Sequence, residues 1–302
     1  MSVTVINNSK GILWALVSMF FAGSMTVAVR AAGDHLPSTE IVLYRFTFVT
    51  IVLLFLGVTI PYFRSRLRFT QIGQHIVRGV LIAVATHTGF YAITVIPVNT
   101  AAVLFFTAPI FASVLGVIFH GETIGPRRMA AIGFGFLGAL IVCEPWTAAQ
   151  PGAITGYAAA FTASLCFALA LTMSRGLAEA DGVFATVVSA GVISTVLSLP
   201  FAFDGLVVPA NWITTAIIVL FLSIAGLIRN VADVEQYHYG EAAIVGPFSY
   251  LRLIVVATGA YLYFNELPSV ATLAGGAIII ASTLYIAIRE RRLKKSTRPS
   301  VP

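Results

Sequence analysis

Residues 41–60, IVLYRFTFVTIVLLFLGVTI, form an apolar stretch in which Arg45 is the one charged side chain. A helix of about 20 apolar residues is long enough to cross the roughly 30 Å hydrocarbon core of a bilayer. Lipid offers no hydrogen-bond partner to the backbone, so a helix satisfies these groups internally. The stretch therefore predicts a transmembrane helix.

Similar stretches fill nearly the whole 302-residue chain, which is 58% hydrophobic and 10% charged with a mean hydropathy of +0.94. These values exclude an ordinary water-soluble domain. The predicted fold class is an all-α polytopic membrane protein with ten transmembrane helices. Turn residues such as Gly, Pro and Asn separate the predicted spans, which are about 11–31, 39–62, 74–96, 98–120, 125–144, 152–174, 182–203, 211–236, 241–264 and 267–288.

The distribution of Lys and Arg predicts the orientation of the spans. Segments with no Lys or Arg follow spans 5, 7 and 9, and Arg30 at the end of span 1 is the only candidate basic residue on that side. The other basic residues outside the spans gather at the other ends of the spans. By the positive-inside rule, the sequence predicts a multi-pass protein of the cell (inner) membrane with both termini in the cytoplasm. The basic residues that fix this orientation are Arg64, Arg66, Arg68, Arg78, Arg127, Arg128, Arg175, Arg289, Arg291, Arg292, Lys294, Lys295 and Arg298.

The net charge of +6, from 18 Lys+Arg against 12 Asp+Glu, also needs an explanation. The positive residues flank the spans and form no basic patch interleaved with aromatics, so they favour contact with lipid headgroups over nucleic acid.

Cys143 and Cys166 both fall inside predicted spans, which argues against a disulfide framework. The first span follows Lys10 as a signal-peptide core would, but its length and the nine later spans predict a retained helix.

The two halves of the chain resemble each other around spans 4 and 9. An Ala-Ala pair leads through Pro109 to Glu122 in the first half, and through Pro247 to Glu266 in the second. Five spans per half is an odd number, so the halves must cross the membrane in opposite directions, which is a transporter architecture. The predicted units are a first repeat at 1–147, a second at 148–288 and a basic cytoplasmic tail at 289–302. The alternative is a chance similarity between helical hairpins that contain Gly and Pro.

Several motifs make the chain resemble the EamA-type ten-helix members of the drug/metabolite transporter superfamily. They are YHYGEAAIVGPFSYLR at 237–252 with FNELP at 264–268, YRF at 44–46, and the run from AP at 108–109 to GE at 121–122. The resemblance covers about residues 10–290. It implies a secondary carrier of small metabolites, often an exporter, with a central cavity lined by spans 1, 3, 4, 6, 8 and 9. The segment RNVADVE at 229–235 is more charged than the resemblance leads us to expect.

Arg252 is the leading candidate for substrate binding. It lies about eleven residues into span 9, near the membrane midplane. A guanidinium can bind a carboxylate through two parallel hydrogen bonds, and an intramembrane arginine must face a cavity or a partner. The alternative is an anchor between helices that bonds to carbonyls freed by Pro247. Arg45 lies closer to the outer surface, and we interpret it as a structural charge that snorkels or packs against span 1.

Other titratable groups within the spans have two interpretations each. Arg229 and Asp233 are four residues apart and share a helix face, as a structural ion pair or as a proton or cation site. His87, near Thr88 and Tyr91 in span 3, is either a proton-coupling group or a neutral hydrogen-bonding residue.

Aromatic and proline residues complete the candidate site. Six aromatic residues could line a cavity, although such residues more often serve packing. They are Trp14, Phe105, Phe106, Tyr157, Phe248 and Tyr250. Pro109 and Pro247 free backbone carbonyls within spans, as static kinks or as hinges for alternating access.

The sequence lacks the motifs of an enzyme or an ATP-driven pump. GFGFLG at 133–138 fits a dinucleotide-binding pattern, but it lies inside a span and no strand precedes it, so its glycines predict close helix packing. There is no Walker-type loop and no clustered set of metal ligands or catalytic residues. We therefore predict no enzyme activity, no cofactor and no metal.

The predicted function is a secondary active or facilitative transporter of a small polar or amphipathic metabolite, an amino acid or related compound, with export as the expected direction. Transport would follow the substrate gradient or be coupled to protons or another ion. The partners expected are the substrate and membrane lipids, with a homodimer left open. The alternatives are a membrane receptor or assembly subunit that does not transport, and an intramembrane enzyme.

Overall fold

The part of the chain that the structure describes contains eleven α-helices and two short 3-10 segments. The computed structural model describes residues 7–108, 110–111, 114–115, 126–143, 152–202, 205–239 and 246–296. The α-helices, numbered in chain order, are α1 Asn8–Gly33, α2 Ser38–Thr59, α3 Pro61–Arg64, α4 Ile72–Val95, α5 Val98–Phe105, α6 Pro126–Cys143, α7 Ala153–Asp181, α8 Val183–Ser198, α9 Trp212–Tyr239, α10 Arg252–Phe264 and α11 Val270–Ser296. The 3-10 segments are Leu199–Ala202 and Gly246–Leu251.

Six described helical stretches are long and apolar enough to cross a membrane, and three shorter apolar helices accompany them. The six are 9–33, 38–59, 72–95, 153–170, 183–201 and 212–232, and the shorter three are 129–143, 252–264 and 270–285. Large apolar side chains such as Phe55, Val58 and Leu262 are mostly exposed, as expected where lipid replaces water. The chain is therefore an all-helical, polytopic membrane protein.

The described helices match most of the predicted spans, with two differences. Span 9 does not form one continuous α-helix, because a 3-10 segment that contains Pro247 precedes α10. Proline has no backbone N–H to donate and clashes with the preceding turn, which accounts for the break. The helix of span 10 continues to Ser296, since Arg and Lys are good helix formers and α11 extends into the basic tail. Span 4 is described mainly by α5.

Helix packing brings distant parts of the sequence together. The principal helix pairs are α1 with α9 and α10, α4 with α7 and α8, α2 with α8, α5 with α7 and α10, and α6 with α11. The largest buried cluster draws side chains from nine of these helices, with Val29, Ile41, Leu104, Leu222 and Ile279 among its fully buried members.

Glycines allow some of these helices to approach closely. A side chain at Gly138 on α6 would collide with the carbonyl of Gly275 on α11, and Gly135 lies against Ile110. Small residues at helix crossings bring backbones together in membranes. The packing role expected for the 133–138 glycines is thus confirmed for these two, whereas a side chain at Gly133 would meet open space.

The bundle has two chemically different ends. The end that carries Arg64, Arg66 and Arg68 is called the basic end here, and the other is called the opposite end. Helices α1, α4, α6 and α8 run from the basic end to the opposite end, and α2, α7, α9 and α11 run back. The contact of Val142, at the end of α6, with Gly275, near the start of α11, agrees with this alternation.

Candidate functional site

Arg252 links α10 to α1 in the interior of the bundle. Its Nη2 donates a hydrogen bond to the Thr26 hydroxyl at 2.7 Å, and that hydroxyl in turn donates to the carbonyl of Ala22 at 2.9 Å. The guanidinium carbon lies 6.0 Å from the centre of the Phe105 ring on α5. Because Thr26 is fully buried, this charge-assisted contact lies away from bulk solvent. Three helices therefore meet at Arg252.

Several of the candidate aromatic side chains are half-buried, and two of them lie next to each other, one of them close to Arg252 in the chain. Tyr250, two residues before Arg252, lies against Phe106 with ring centres 5.0 Å apart. Phe105, Phe106 and Tyr157 are half-buried and pack on the main cluster of buried residues. Trp14 is half-buried in the first half of α1. The structure thus gathers Arg252, Tyr250, Phe105 and Phe106 in one region and adds Thr26 to it.

His87 and Tyr91, four residues apart on α4, contact α8 and α7. The Nε2 atom of His87 is 2.8 Å from the Ser198 hydroxyl at the end of α8, and its ring lies 5.1 Å from that of Phe201. The Tyr91 hydroxyl is 3.1 Å from the Thr155 hydroxyl on α7, and Tyr91 is 39% exposed. In the described residues these two side chains connect α4 to α8 and α7, and none of their recorded contacts is with Arg252.

The other candidate residues from the sequence are Arg229, Asp233, Pro109 and Pro247. Arg229 is half-buried on α9, and its charge acts on Arg45 of α2. The side chain of Asp233 lies outside the described residues, and so does Pro109. Pro247 lies in the 3-10 segment that precedes α10, and its side chain is also outside the description.

At the opposite end, a junction around Arg30 and Glu266 ties three connections together. Nη1 of Arg30 donates to the carbonyl of Thr94 at 2.6 Å, and its Nη2 lies 3.7 Å from Oε1 of Glu266. Oε2 of Glu266 accepts a hydrogen bond from the backbone N–H of Val98 at 3.2 Å. Asn265 ends α10 in the left-handed conformation with φ of 55°, which turns the chain so that Glu266 reaches this position. We call this group the Arg30–Glu266 junction.

At the basic end, a buried carboxylate ties the start of α4 to the end of α7. Asp181 accepts hydrogen bonds from the backbone N–H and the hydroxyl of Thr70 and from the N–H of Gln71, at 2.5–3.2 Å. Its Oδ2 also lies 2.9 Å from Nε2 of His75, whose Nδ1 is 2.8 Å from the Ser189 hydroxyl. These donors, the Thr70 hydroxyl first, hold the pKa of Asp181 below its ordinary value, although burial acts to raise it.

Asp181→Asn is expected to lower the melting temperature at pH 7 by about 5 °C, because the amide cannot accept all the hydrogen bonds of the carboxylate. A carboxyl whose pKa is lower in the folded protein stabilises the fold above the unfolded pKa, about 3.9, and this stabilisation is lost as the pH falls further. The difference between wild type and variant should therefore shrink below about pH 4. Thermal unfolding in detergent at pH 7 and pH 3.5 measures both effects.

Asp34→Asn is the matched control, since Asp34 is exposed at the opposite end and should tolerate the same change. Equal melting temperatures of wild type and Asp181→Asn at pH 7 would contradict a stabilising role for Asp181.

The sequence alone did not single out Thr26, Arg30, His75 or Asp181 as contact residues. A threonine in an apolar helix commonly bonds to its own backbone, as Thr26 also does, so it gives no signal of an interhelical role. His75 and Asp181 are 106 residues apart in the sequence, so their contact has no local signal.

Within the described ranges, no group of three or more His, Cys, Asp or Glu side chains is arranged to hold a metal ion.

Comparison with known proteins places this arrangement among transporters. Residues 9–143 match the model of the EamA-like transporter family. An S-adenosylmethionine uptake transporter of Rickettsia prowazekii is 27% identical over 291 residues, 96% of this chain and 97% of that protein. A pseudopaline exporter of Pseudomonas aeruginosa is 26% identical over 92% of this chain and 96% of its own length. A riboflavin transporter of Vibrio cholerae is 27% identical over 96% of both chains.

The fold is also similar to that of a solved crystal structure. The TM-score is 0.60 at 18% sequence identity, over 95% of this chain and all of the other. At this identity the likeness concerns the fold alone. The family match and the curated relatives are transporters rather than enzymes, which agrees with the predicted absence of enzyme activity.

Proposed function

We propose that the chain is a member of the EamA-like transporter family, within the drug/metabolite transporter superfamily, and a secondary transporter of small carboxylate-bearing metabolites. Its general class, a multi-pass membrane transporter of small metabolites, follows from the family. The observation that carries the finer proposal is the contact of Arg252 with Thr26 and Phe105 in the bundle interior. A guanidinium beside an aromatic ring suits a carboxylate attached to an apolar or ring-bearing body.

We propose two inverted repeats, with α1, α2, α4, α5 and α6 corresponding to α7, α8, α9, α10 and α11. The helix contacts support this pairing because they occur in matched sets. Exchanging the halves converts α1–α9 into α7–α4, α1–α10 into α7–α5 and α4–α8 into α9–α2, and all six pairs pack together. The pairs α2–α8 and α6–α11 map onto themselves. The ten-helix transport fold expected from the sequence is the simplest arrangement with this property.

Side-chain contacts at the two ends show a similar correspondence. At the opposite end, Glu40 near the start of α2 accepts a hydrogen bond from the N–H of Val207, shortly before α9. At the basic end, Asp181 just before α8 accepts from the N–H groups of Thr70 and Gln71, shortly before α4. A buried carboxylate between corresponding elements at both ends supports the inverted relation.

The basic end is proposed to face the cytoplasm of a bacterial-type inner membrane, with both termini inside. The positive charges at this end favour that orientation. The curated relatives include proteins named for uptake and a protein named for export, so the proposal assigns direction to the gradients of substrate and coupling ion. Alternating access requires rocking of the two repeats around the Arg252 region, with Pro109 and Pro247 as the proposed hinges.

Amino acids and their derivatives are the proposed substrates. S-adenosylmethionine is the first to test, because two relatives named as S-adenosylmethionine uptake transporters align with nearly the full chain. Purified protein in liposomes should accelerate the entry of labelled S-adenosylmethionine or an amino acid above the rate of protein-free liposomes. Riboflavin, which carries no carboxylate, is the comparison substrate and should enter more slowly. Each flux is measured with and without a pH gradient to detect proton coupling. No movement of S-adenosylmethionine or of an amino acid under either condition would overturn the proposal.

A further inference from the structure

Arg45 is an arginine almost completely enclosed within the bundle. It lies two turns into α2, about 10 Å along the helix axis from Ser38, and its exposed fraction is 7%. Neither the Arg252 contact nor the Arg30–Glu266 junction includes it. Arginines inside membrane proteins face a partner or a cavity, because an unpaired charge in a low-dielectric interior is costly.

The surroundings of the Arg45 guanidinium are apolar. Its central carbon lies 5.1 Å from the ring centre of Phe46 and 5.5 Å from that of Phe90 on α4. On α9 it faces Gly226, where a side chain would come within about 3 Å of Nη2 and Nε and of the sulfur of Met25. The glycine therefore provides the room that the guanidinium occupies.

No anion compensates this charge among the described residues. The Nε atom of Arg45 has no contact with solvent and no hydrogen-bond acceptor. The neighbouring charge that acts on Arg45 has the same sign, since it belongs to Arg229, one turn from Gly226 on α9. Cation–π contact with two phenylalanine rings offsets a part of the desolvation cost but leaves the donor unsatisfied.

We propose that Arg45 binds the anionic oxygen group of the transported metabolite, most simply a carboxylate, when that metabolite occupies the bundle. This inference rests on the proposed transport function. It makes Arg45 a second residue, besides Arg252, that contacts the anionic group of the substrate. The two arginines lie at the same depth, because Arg45 is beside Met25 and Arg252 is bonded to Thr26, the next residue of α1. A bound carboxylate would supply an acceptor for Nε of Arg45, which has none among the described residues.

The first test compares the thermal stability of ligand-free wild type and Arg45→Met in detergent. A buried charge without a counter-ion destabilises the fold, and an apolar side chain of similar length should raise the melting temperature by about 3 °C. If Arg45 instead anchored α2 to a neighbouring helix, Arg45→Met would lower the melting temperature. Arg68→Met, at an exposed position of the basic end, is the control and should leave the melting temperature unchanged. A fall in the melting temperature of Arg45→Met would overturn the proposal.

The second test measures flux of the substrate identified in liposomes. Arg45→Met should raise its KM about tenfold, as expected for loss of a charge-assisted contact, and Arg45→Lys should recover part of the loss. An unchanged KM in Arg45→Met would contradict the proposal. If wild type moves no metabolite, the transport function fails, and the melting comparison still decides whether Arg45 lacks a structural partner.

The phosphate of an anionic lipid is the other source of a suitable oxygen group. Phosphorus that co-purifies with the protein is therefore measured in wild type and Arg45→Met. Equal amounts agree with a metabolite as the ligand, whereas a loss of bound phosphorus from the variant would assign Arg45 to a lipid and overturn the proposal.

Discussion

Arg252→Ala is expected to reduce substrate flux in liposomes at least 100-fold while leaving a folded protein. Arg252 lies where α1, α5 and α10 meet, and its guanidinium can hold a substrate carboxylate through two hydrogen bonds. Hydrogen bonds to a charged group contribute about 1.5–3 kcal/mol each, so losing two of them accounts for such a factor. Initial rates over a range of substrate concentrations give KM and the maximal rate.

Thr26→Val separates substrate binding from an anchoring role of Arg252. If Arg252 served only to fix α10 to α1, removing the Thr26 hydroxyl would reproduce the loss seen in Arg252→Ala. If Arg252 binds the substrate, Thr26→Val should retain at least about a tenth of the wild-type flux, since the guanidinium remains available. Arg252→Lys should transport poorly, because a lysine keeps the charge without the planar fork. Wild-type flux in Arg252→Ala would refute its role.

Glu266→Ala is expected to open the opposite end of the bundle. The substitution removes the ion pair with Arg30 and the acceptor for the Val98 N–H. The side chains of the ion pair are about a quarter exposed, so the pair itself contributes less than about 1 kcal/mol. The hydrogen bond from the Val98 N–H adds to the energy of this ion pair. Loss of both contacts should shift the equilibrium between the closed and the open form of the opposite end roughly tenfold toward the open form.

A cysteine placed beneath the junction reports this opening. Ala102 is fully buried one turn into α5 from Val98, and Ala102→Cys in a background lacking Cys143 and Cys166 provides a single thiol. A membrane-impermeant thiol reagent applied at the opposite end should label it about ten times faster in Glu266→Ala. Asp34→Ala, at an exposed site of the same end, should not change the rate. Equal labelling with and without Glu266 would exclude a closing role for the junction.

The helices were more predictable than the contacts between them, and the reason is physical. The apolar length of a span is a local property, so the predicted 39–62 and 74–96 lie within a few residues of α2 and α4. The break before α10 follows from Pro247, although the extent of the 3-10 segment does not. The interior arginines could be recognised because a charge in an apolar run is conspicuous.

The partners of those arginines depend on helix packing, which the sequence does not encode locally. Arg252 meets Thr26 across 226 residues, and Arg30 meets Glu266 from the other half of the chain. The lack of a counter-ion at Arg45 also becomes visible only when its neighbours are known. His87 had two interpretations from the sequence, and its contact with Ser198 is the kind expected of a hydrogen-bonding residue between helices.

The inverted relation of the two halves can be tested by the sidedness of two equivalent loop positions. Gly121, which lies outside the described residues, precedes Glu122 after span 4, and Asn265 precedes Glu266 after span 9. Each is replaced by cysteine in a background without Cys143 and Cys166, and an impermeant thiol reagent is applied to intact cells and to inverted vesicles. We predict that Gly121→Cys is labelled from the cytoplasmic side and Asn265→Cys from the outside. Labelling of both cysteines from the same side would contradict two inverted repeats.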